Sequence, residues 1–140
     1  MPVYAYSHVH INVKDLEGAI AFYQRMFDAK LEYTAQYLPG RTSARLNING
    51  MSVQLSDRLY PLDAPEQPGN SAPHLGLEHF GLEVDDFDAA IKDLRGKGAE
   101  FLMEPHEFRP GLRIAFIQAP ENVRIEILQR KDQSGRPELD

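Results

Sequence analysis

Two short segments of the chain each open with a histidine: His8-Val-His-Ile-Asn-Val-Lys-Asp and His79-Phe-Gly-Leu-Glu-Val-Asp-Asp. In both, apolar residues alternate with others up to a valine, and an aspartate then leads into a helical pattern. A shift of 71 positions superposes the histidines, the valines, the aspartates and two apolar residues of the helices, Ala19 on Ala90 and Ile20 on Ile91. We interpret the segments as two copies of one strand-to-helix unit. Two imidazoles related by such a repeat can meet across a pseudo-twofold axis and bind a divalent metal ion.

Two polar residues occupy matching places near the ends of the repeats. Gln54 and Glu126 each lie between two aliphatic residues, with one residue inserted in the second copy. In a half-buried strand such a residue lies on the opposite face from its neighbours. If that face lines a curved sheet, two imidazoles, a carboxylate and an amide oxygen converge, which suits Zn, Ni, Co, Mn or Fe(II). The alternative is that these residues are ordinary surface residues, and three further histidines compete as ligands: His10, His74 and His106.

Composition limits the classes of function. The chain has 140 residues, 42% hydrophobic and 26% charged, which is enough for a core. A net charge of -6 argues against a nucleic-acid surface. The absence of cysteine excludes disulfides and thiolate metal sites. No apolar run approaches the roughly 20 residues of a membrane span, and no signal peptide is recognisable, so a cytoplasmic protein is expected.

The remaining pattern places these residues on an α+β fold. Alternation predicts strands over 3–13, 31–38, 43–48, 51–56, 77–84, 99–103, 113–118 and 123–129. Asp15 and Asp86 are expected to cap two helices. Asn49-Gly50 predicts a type I′ hairpin turn, which pairs Arg45 with Gln54. The expected division is a first βαβββ module over 1–57, a linker over 58–76, a second βαβββ module over 77–130 and a flexible tail over 131–140.

Three motifs give the chain a family resemblance. His8-Val-His-Ile-Asn-Val-Lys-Asp-Leu with Ala21-Phe-Tyr, the His79 segment and Arg124-Ile-Glu-Ile-Leu resemble the vicinal oxygen chelate superfamily. That superfamily includes glyoxalase I, methylmalonyl-CoA epimerase, fosfomycin-resistance proteins and extradiol dioxygenases. The resemblance implies paired modules forming a curved, half-open barrel-like sheet around a pocket. It also implies one divalent metal ion held by four ligands: His8, Gln54, His79 and Glu126.

The ligand set is most similar to that of methylmalonyl-CoA epimerase, because glyoxalase I usually has a glutamate where this chain has Gln54. Two stretches depart from the epimerase pattern: Ser71-Ala-Pro-His-Leu-Gly-Leu-Glu and Gln118-Ala-Pro-Glu-Asn. The resemblance leaves open whether the site forms within one chain or across a homodimer that exchanges modules.

Other polar residues are expected around this pocket. Arg45 and Asn47 should share the face of Gln54, and an arginine there favours an anionic small-molecule substrate. The alternative is that Arg45 only pairs with a nearby acid. Asn12 and His10 should line the same wall, as should Glu83. Arg109 and Arg113 are expected on a loop over the pocket entrance.

Three functions are considered. The first is metal-dependent proton transfer by an isomerase, epimerase or lyase, with Glu126 or His10 moving the proton. The second is an Fe(II) extradiol-type dioxygenase that uses His8, His79 and Glu126 and leaves Gln54 unbound. The third is a metal-free protein for binding or resistance to a small molecule.

Overall fold

The chain forms two compact units, Met1–Pro68 and Gly69–Asp140, each built around one four-stranded sheet. The computed structural model describes residues 2–3, 5–57, 71–73 and 76–131. The first unit contains β1 (His8–Asn12), α1 (Leu16–Phe27), β2 (Lys30–Leu38), β3 (Arg41–Ile48) and β4 (Met51–Ser56). The second contains β5 (Phe80–Glu83), α2 (Phe87–Gly96), β6 (Phe101–Arg109), β7 (Leu112–Ala119), a 3-10 turn (Pro120–Asn122) and β8 (Val123–Arg130). The predicted α+β fold of two βαβββ modules is confirmed.

Both sheets have the same topology. The strand orders are β1-β4-β3-β2 and β5-β8-β7-β6, and neither sheet is closed. The first strand of each unit is parallel to the last, and the other pairs are antiparallel. The first and last strands of each module therefore lie side by side, which is where the repeat-related polar residues occur.

Each helix covers one face of its own sheet. The carboxylates of Asp15 and Asp86 each accept a hydrogen bond from the backbone N–H three residues later. The donors are Gly18 N at 2.9 Å and Ala89 N at 3.1 Å, so both predicted caps are confirmed. Buried helix residues pack over buried strand residues: Ala19, Tyr23 and Met26 in α1, Phe87, Ile91 and Leu94 in α2, and Leu46, Val53, Leu55, Ala115, Ile117, Ile125 and Ile127 in the strands. We call this side of each sheet the helix face.

The hairpin between β3 and β4 follows the predicted turn. Asn49 and Gly50 have φ angles of 48° and 94°, both positive, as a type I′ turn requires. The register pairs Ile48 with Met51 and Arg45 with Gln54. This register was predicted from the turn alone, and it is confirmed.

Three strands differ from their predicted bounds by three residues or more. β1 begins at His8 and β5 at Phe80, later than the alternating pattern indicated. β6 continues through Pro105 to Arg109, because Pro110-Gly111 turns the chain so that these residues pair with β7. A shift in register near Pro105 accommodates the missing N–H on this outer strand. Residues 104–109 are mostly polar and do not alternate, so the sequence pattern did not predict this part of β6.

Some expectations fall outside the described residues. They include nearly all of the predicted linker, nearly all of the predicted tail and His74. Neither of the two described helices has the length and hydrophobicity that crossing a membrane requires.

Candidate metal centre

Glu126 lies on the sheet face opposite α2, which we call the ligand face of the second unit. Its neighbours Ile125 and Ile127 are buried on the helix face, as the alternation predicted. In the parallel pairing Glu126 stands beside Gly81, and on its other side beside Phe116. A side chain at position 81 would press against that of Leu128 at 3.1 Å, so glycine keeps this part of the ligand face open.

His79 and Glu126 are brought together in the second unit. His79 directly precedes β5, and its Nε2 lies 2.9 Å from Oε2 of Glu126. The side chains are 32% and 18% exposed, so both are reachable from solvent. Two cis ligands held at about 2.1 Å from an octahedral ion stand about 3.0 Å apart. The observed spacing of this imidazole and carboxylate therefore fits a shared divalent metal.

The other ring nitrogen of His79, Nδ1, contacts the carboxylate of Glu78. Nδ1 of His79 lies 3.1 Å from Oε1 of Glu78, which also accepts a hydrogen bond from Nε of Arg124 at 2.6 Å. The bond from Arg124 is the main cause that lowers the pKa of Glu78, and the bond with His79 adds to it. The Phe116 ring lies 4.9 Å from the His79 ring and 4.6 Å from the Arg124 guanidinium.

Sequence reasoning missed this support. Arg124 is two residues before Glu126, so the strand period places both on the ligand face. That period was the available signal for Arg124. Glu78 lies before β5, so the strand period gave no signal for it.

The first unit presents His8 and Gln54 on one face. β1 runs parallel to β4, with His8 beside Ser52 and His10 beside Gln54. These side chains lie on the face opposite α1, the ligand face of the first unit. His8 Nδ1 lies 2.9 Å from Oγ of Ser7, the residue that precedes it. Both histidines therefore have Nδ1 engaged by the preceding side chain, which leaves Nε2 as the nitrogen for a metal.

His10 belongs to a polar network on this ligand face. Its Nε2 lies 2.7 Å from Oγ of Ser56, which is buried and lies 2.8 Å from Oγ of Ser43. Arg41 Nη2 donates to Asn12 Oδ1 at 2.8 Å and lies 3.4 Å from His10 Nε2. Burial lowers the pKa of His10, and the charges of Arg41 and His8 lower it further. His10 and Asn12 thus share a wall, as expected, with Arg41 as a neighbour that sequence reasoning missed.

Arg45 and Asn47 also lie on the ligand face of the first unit, but both have local partners. Arg45 Nε lies 3.6 Å from Oε1 of Glu32, which is the acid pairing considered as the alternative. Asn47 Oδ1 accepts a hydrogen bond from Gly50 N at 2.7 Å and so closes the hairpin turn.

Arg113 is placed differently from its prediction. Arg109 and Arg113 lie on β6 and β7 rather than on a loop. Arg113 lies on the helix face, where Nη2 donates to Asp88 Oδ1 at 2.7 Å and the guanidinium stacks 4.6 Å from the Phe87 ring. It is three residues from Phe116, an odd step along a strand, so it points away from Glu126. Arg113 is therefore excluded from the ligand face.

The two ligand faces differ in chemistry. Where the first has the pair Ser43–Ser56, the second has Ile114–Leu128. Around Phe116 the second face carries an apolar cluster: Ile114, Phe116, Leu128, Leu102 and Leu112.

In residues 2–3, 5–57, 71–73 and 76–131, three or more His, Asp or Glu side chains do not gather into one metal-binding group. Each unit contributes two of the four predicted ligands.

Comparisons with known proteins agree on the family. Residues 5–127 match the Glyoxalase/Bleomycin resistance protein/Dioxygenase superfamily. The chain is 35% identical over 105 residues to the mitochondrial methylmalonyl-CoA epimerase of Homo sapiens, covering 70% of this chain and 56% of that protein. It is 26% identical over 151 residues to a lactoylglutathione lyase of Schizosaccharomyces pombe, covering 94% and 49%. The chain thus spans about half the length of these two relatives.

A solved structure shows the same fold. The fosfomycin resistance protein FosX of Listeria monocytogenes, in complex with Mn(II) and sulfate, superposes with a TM-score of 0.65 at 17% identity. The match covers 91% of this chain and 93% of that one.

Proposed function

The chain belongs to the Glyoxalase/Bleomycin resistance protein/Dioxygenase superfamily, and on that premise we propose that it is a metal-dependent enzyme of the vicinal oxygen chelate type. The reaction is proton transfer next to a carbonyl group in a small, oxygenated, anionic substrate, catalysed by an isomerase, epimerase or lyase. The observation that carries this proposal is the 2.9 Å contact between His79 Nε2 and Glu126 Oε2. The epimerase and lyase names of the two relatives support the class of reaction.

The proposed metal ligands are His8 and Gln54 from the first unit and His79 and Glu126 from the second. Their repeat-related positions on the two ligand faces support this set. A nitrogen and oxygen donor set without thiolates suits Zn, Ni, Co, Mn or Fe(II). The neighbouring FosX structure was solved with Mn(II), which is one of these divalent ions.

A bound divalent ion would polarise substrate oxygens and stabilise negative charge that develops on them. Glu126 is the proposed proton carrier, because its carboxylate is partly exposed and is oriented by His79. His10 is the second candidate. Its Nε2 is engaged by Ser56 and Arg41, so His10 would exchange a proton through Nδ1.

Arginines on the ligand face of the first unit favour an anionic substrate. A guanidinium carries five N–H donors, so Arg41 can bind a carboxylate or phosphate and keep its bond to Asn12. Arg45 stands beside Gln54 in the neighbouring strand and supplies a second positive charge. Asn12 and the Nδ2 group of Asn47 are the remaining polar groups proposed for substrate binding.

We also propose that the protein forms a homodimer. Strand β2 is the outer strand of its sheet, and three of its large side chains are exposed: Leu31, Tyr33 and Tyr37. An uncovered strand edge with exposed apolar groups favours association. Analytical ultracentrifugation tests this, and a monomer at all concentrations would contradict it.

Metal analysis and isotope exchange test the proposed reaction. Protein purified without chelator should retain a divalent transition metal or take one up on addition. The loaded protein should catalyse solvent deuterium exchange at the carbon next to the carbonyl of a 2-substituted acyl substrate. Protein that neither retains nor takes up metal would contradict both enzyme functions and favour a metal-free binding protein. Oxygen consumption with catechols under Fe(II), without deuterium exchange, would favour the dioxygenase.

A further inference from the structure

Next to Nδ1 of His79 lies a hydrogen-bonded assembly that the proposed reaction does not use: the buried Arg124, the partly exposed Glu78 and the carbonyl of Ser71. We propose that Glu78, anchored by Arg124, is a positioning residue that fixes the tautomer and orientation of His79. This inference rests on the proposed function where it concerns a metal, and on hydrogen-bond geometry where it concerns the ring.

The tautomer follows from which atoms face each other. The carboxylate of Glu78 only accepts hydrogen bonds, so its contact with His79 requires a proton on Nδ1. Nε2 faces the Glu126 carboxylate at 2.9 Å, and since a carboxylate only accepts, this contact in the metal-free protein also needs a proton on Nε2. A metal ion would take the place of that proton, and the hydrogen bond from Nδ1 to Glu78 then leaves the Nε2 lone pair for the metal. A metal-ligating histidine commonly donates its other N–H to a carboxylate, which orients the ring and raises its basicity.

Glu78 is itself fixed in place. Oε1 of Glu78 accepts from Arg124 Nε at 2.6 Å, and Arg124 Nη1 donates to Ser71 O at 2.7 Å. The Arg124 side chain is only 7% exposed and stacks on the Phe116 ring. A buried guanidinium must keep a charged partner, because leaving it unpaired is costly. Arg124 therefore holds the Glu78 carboxylate at the back of the His79 ring.

The first module contains a neutral version of this arrangement. Ser7 stands where the second module has Glu78, and its Oγ lies 2.9 Å from Nδ1 of His8. Ser52 stands where the second module has Arg124. The same ring nitrogen is engaged in both modules, but only in the second is its partner a carboxylate that is paired with a buried arginine. We infer that His79 is the better preorganised of the two histidines.

Three variants test this inference: Glu78→Ala, Glu78→Gln and Ser7→Ala. Co(II) or Zn(II) affinity is measured by competition with a chromophoric chelator, together with the Co(II) absorption spectrum. Loss of a supporting group behind a metal ligand typically costs about 10- to 100-fold in affinity. We expect such a loss in Glu78→Ala and a smaller one in Ser7→Ala. Glu78→Gln, which keeps an acceptor oxygen but no charge, should lie between them.

A second measurement needs no metal. Long-range ¹H–¹⁵N correlation spectra of the metal-free protein report which nitrogen of His79 is protonated. We expect Nδ1 to carry a proton in the wild type and to lose it in Glu78→Ala, where only Nε2 still faces a carboxylate, that of Glu126. Glu78→Gln serves if the alanine variant does not fold, and it should keep the Nδ1 proton.

The outcomes separate the two proposals. A wild type that binds no metal contradicts the proposed function, and the spectra then decide the positioning role alone. A wild type that binds metal while Glu78→Ala binds it equally tightly overturns the positioning role. An unchanged His79 tautomer in that variant overturns it as well.

Discussion

His79 Nε2 and Glu126 Oε2 lie 2.9 Å apart, although one residue precedes the first strand of its unit and the other lies in the last strand. The contact arises because β5 and β8 are parallel neighbours and Gly81 stands beside Glu126. Each partner alone is a common surface residue. Their convergence on the face opposite the helix makes them candidate ligands.

The Glu126→Gln variant tests the carboxylate as a ligand. The change keeps the size of the side chain but removes its charge, so affinity for a divalent ion should fall by more than the roughly 10- to 100-fold typical of a supporting group. Isothermal titration with Zn(II) measures the loss. Asp93→Asn is the control, because Asp93 lies in α2 of the same unit and pairs with Lys97 at 2.7 Å, so its loss should leave affinity unchanged. Equal affinities in the two variants would remove Glu126 from the ligand set.

Gln54→Ala distinguishes four ligands from three. If the amide oxygen binds the metal, metal affinity should fall at least about tenfold, since a ligand matters no less than its supporting groups. Gln36→Ala changes the same residue type in β2, where it contacts Thr42, and should have no effect. Unchanged affinity in Gln54→Ala would support the set of His8, His79 and Glu126 that the dioxygenase alternative uses.

Two arginines on opposite faces test where the substrate anion binds. A hydrogen bond to a charged group contributes about 1.5–3 kcal/mol, so Arg41→Ala should raise KM by about tenfold or more. Arg113→Ala should leave KM unchanged, because Arg113 pairs with Asp88 on the helix face. Steady-state kinetics of both variants on the same substrate decide this. A larger effect from Arg113 would restore it to the substrate site.

The pair Asp88–Arg113 predicts a stability difference that depends on pH. The hydrogen bond and charge of Arg113 lower the pKa of Asp88 below its ordinary value of 3.8. A carboxyl group with a lowered pKa in the folded state stabilises the fold above its unfolded pKa, and this contribution is lost as the pH falls through the folded pKa. Urea unfolding should show wild type more stable than Asp88→Asn at pH 7, with the difference shrinking below about pH 4. A difference that does not change with pH would contradict the ion pair.

The parts of the fold set by local chemistry were predictable from the sequence. Asp15 and Asp86 cap their helices, and Asn49-Gly50 fixes the β3–β4 register, because each depends on residues adjacent in the chain. Repeat symmetry then placed Gln54 and Glu126 on equivalent strands.

Contacts between distant residues were not predictable in the same way. Arg41 in β3 reaches Asn12 in β1 across the intervening strand β4, and Arg124 in β8 reaches Glu78, which precedes the neighbouring strand β5. Only the folded sheet brings these pairs together. Arg113 was misplaced because residues 104–109 were not recognised as a strand, so the face of Arg113 could not be counted from the turn.

Gly50→Ala should destabilise the first unit, because Gly50 has a φ of 94° in the turn that fixes the β3–β4 register. An alanine in a left-handed conformation costs about 1–2 kcal/mol, and no neighbouring atom within 4 Å offers a compensating contact. Gly96→Ala is the matched control, since Gly96 is the last residue of α2, has no positive φ and also has open space around it. That variant should be neutral or stabilised by up to about 1 kcal/mol, because alanine is the better helix former. Urea unfolding of both variants measures the difference, and equal stabilities would contradict a type I′ turn at Asn49-Gly50.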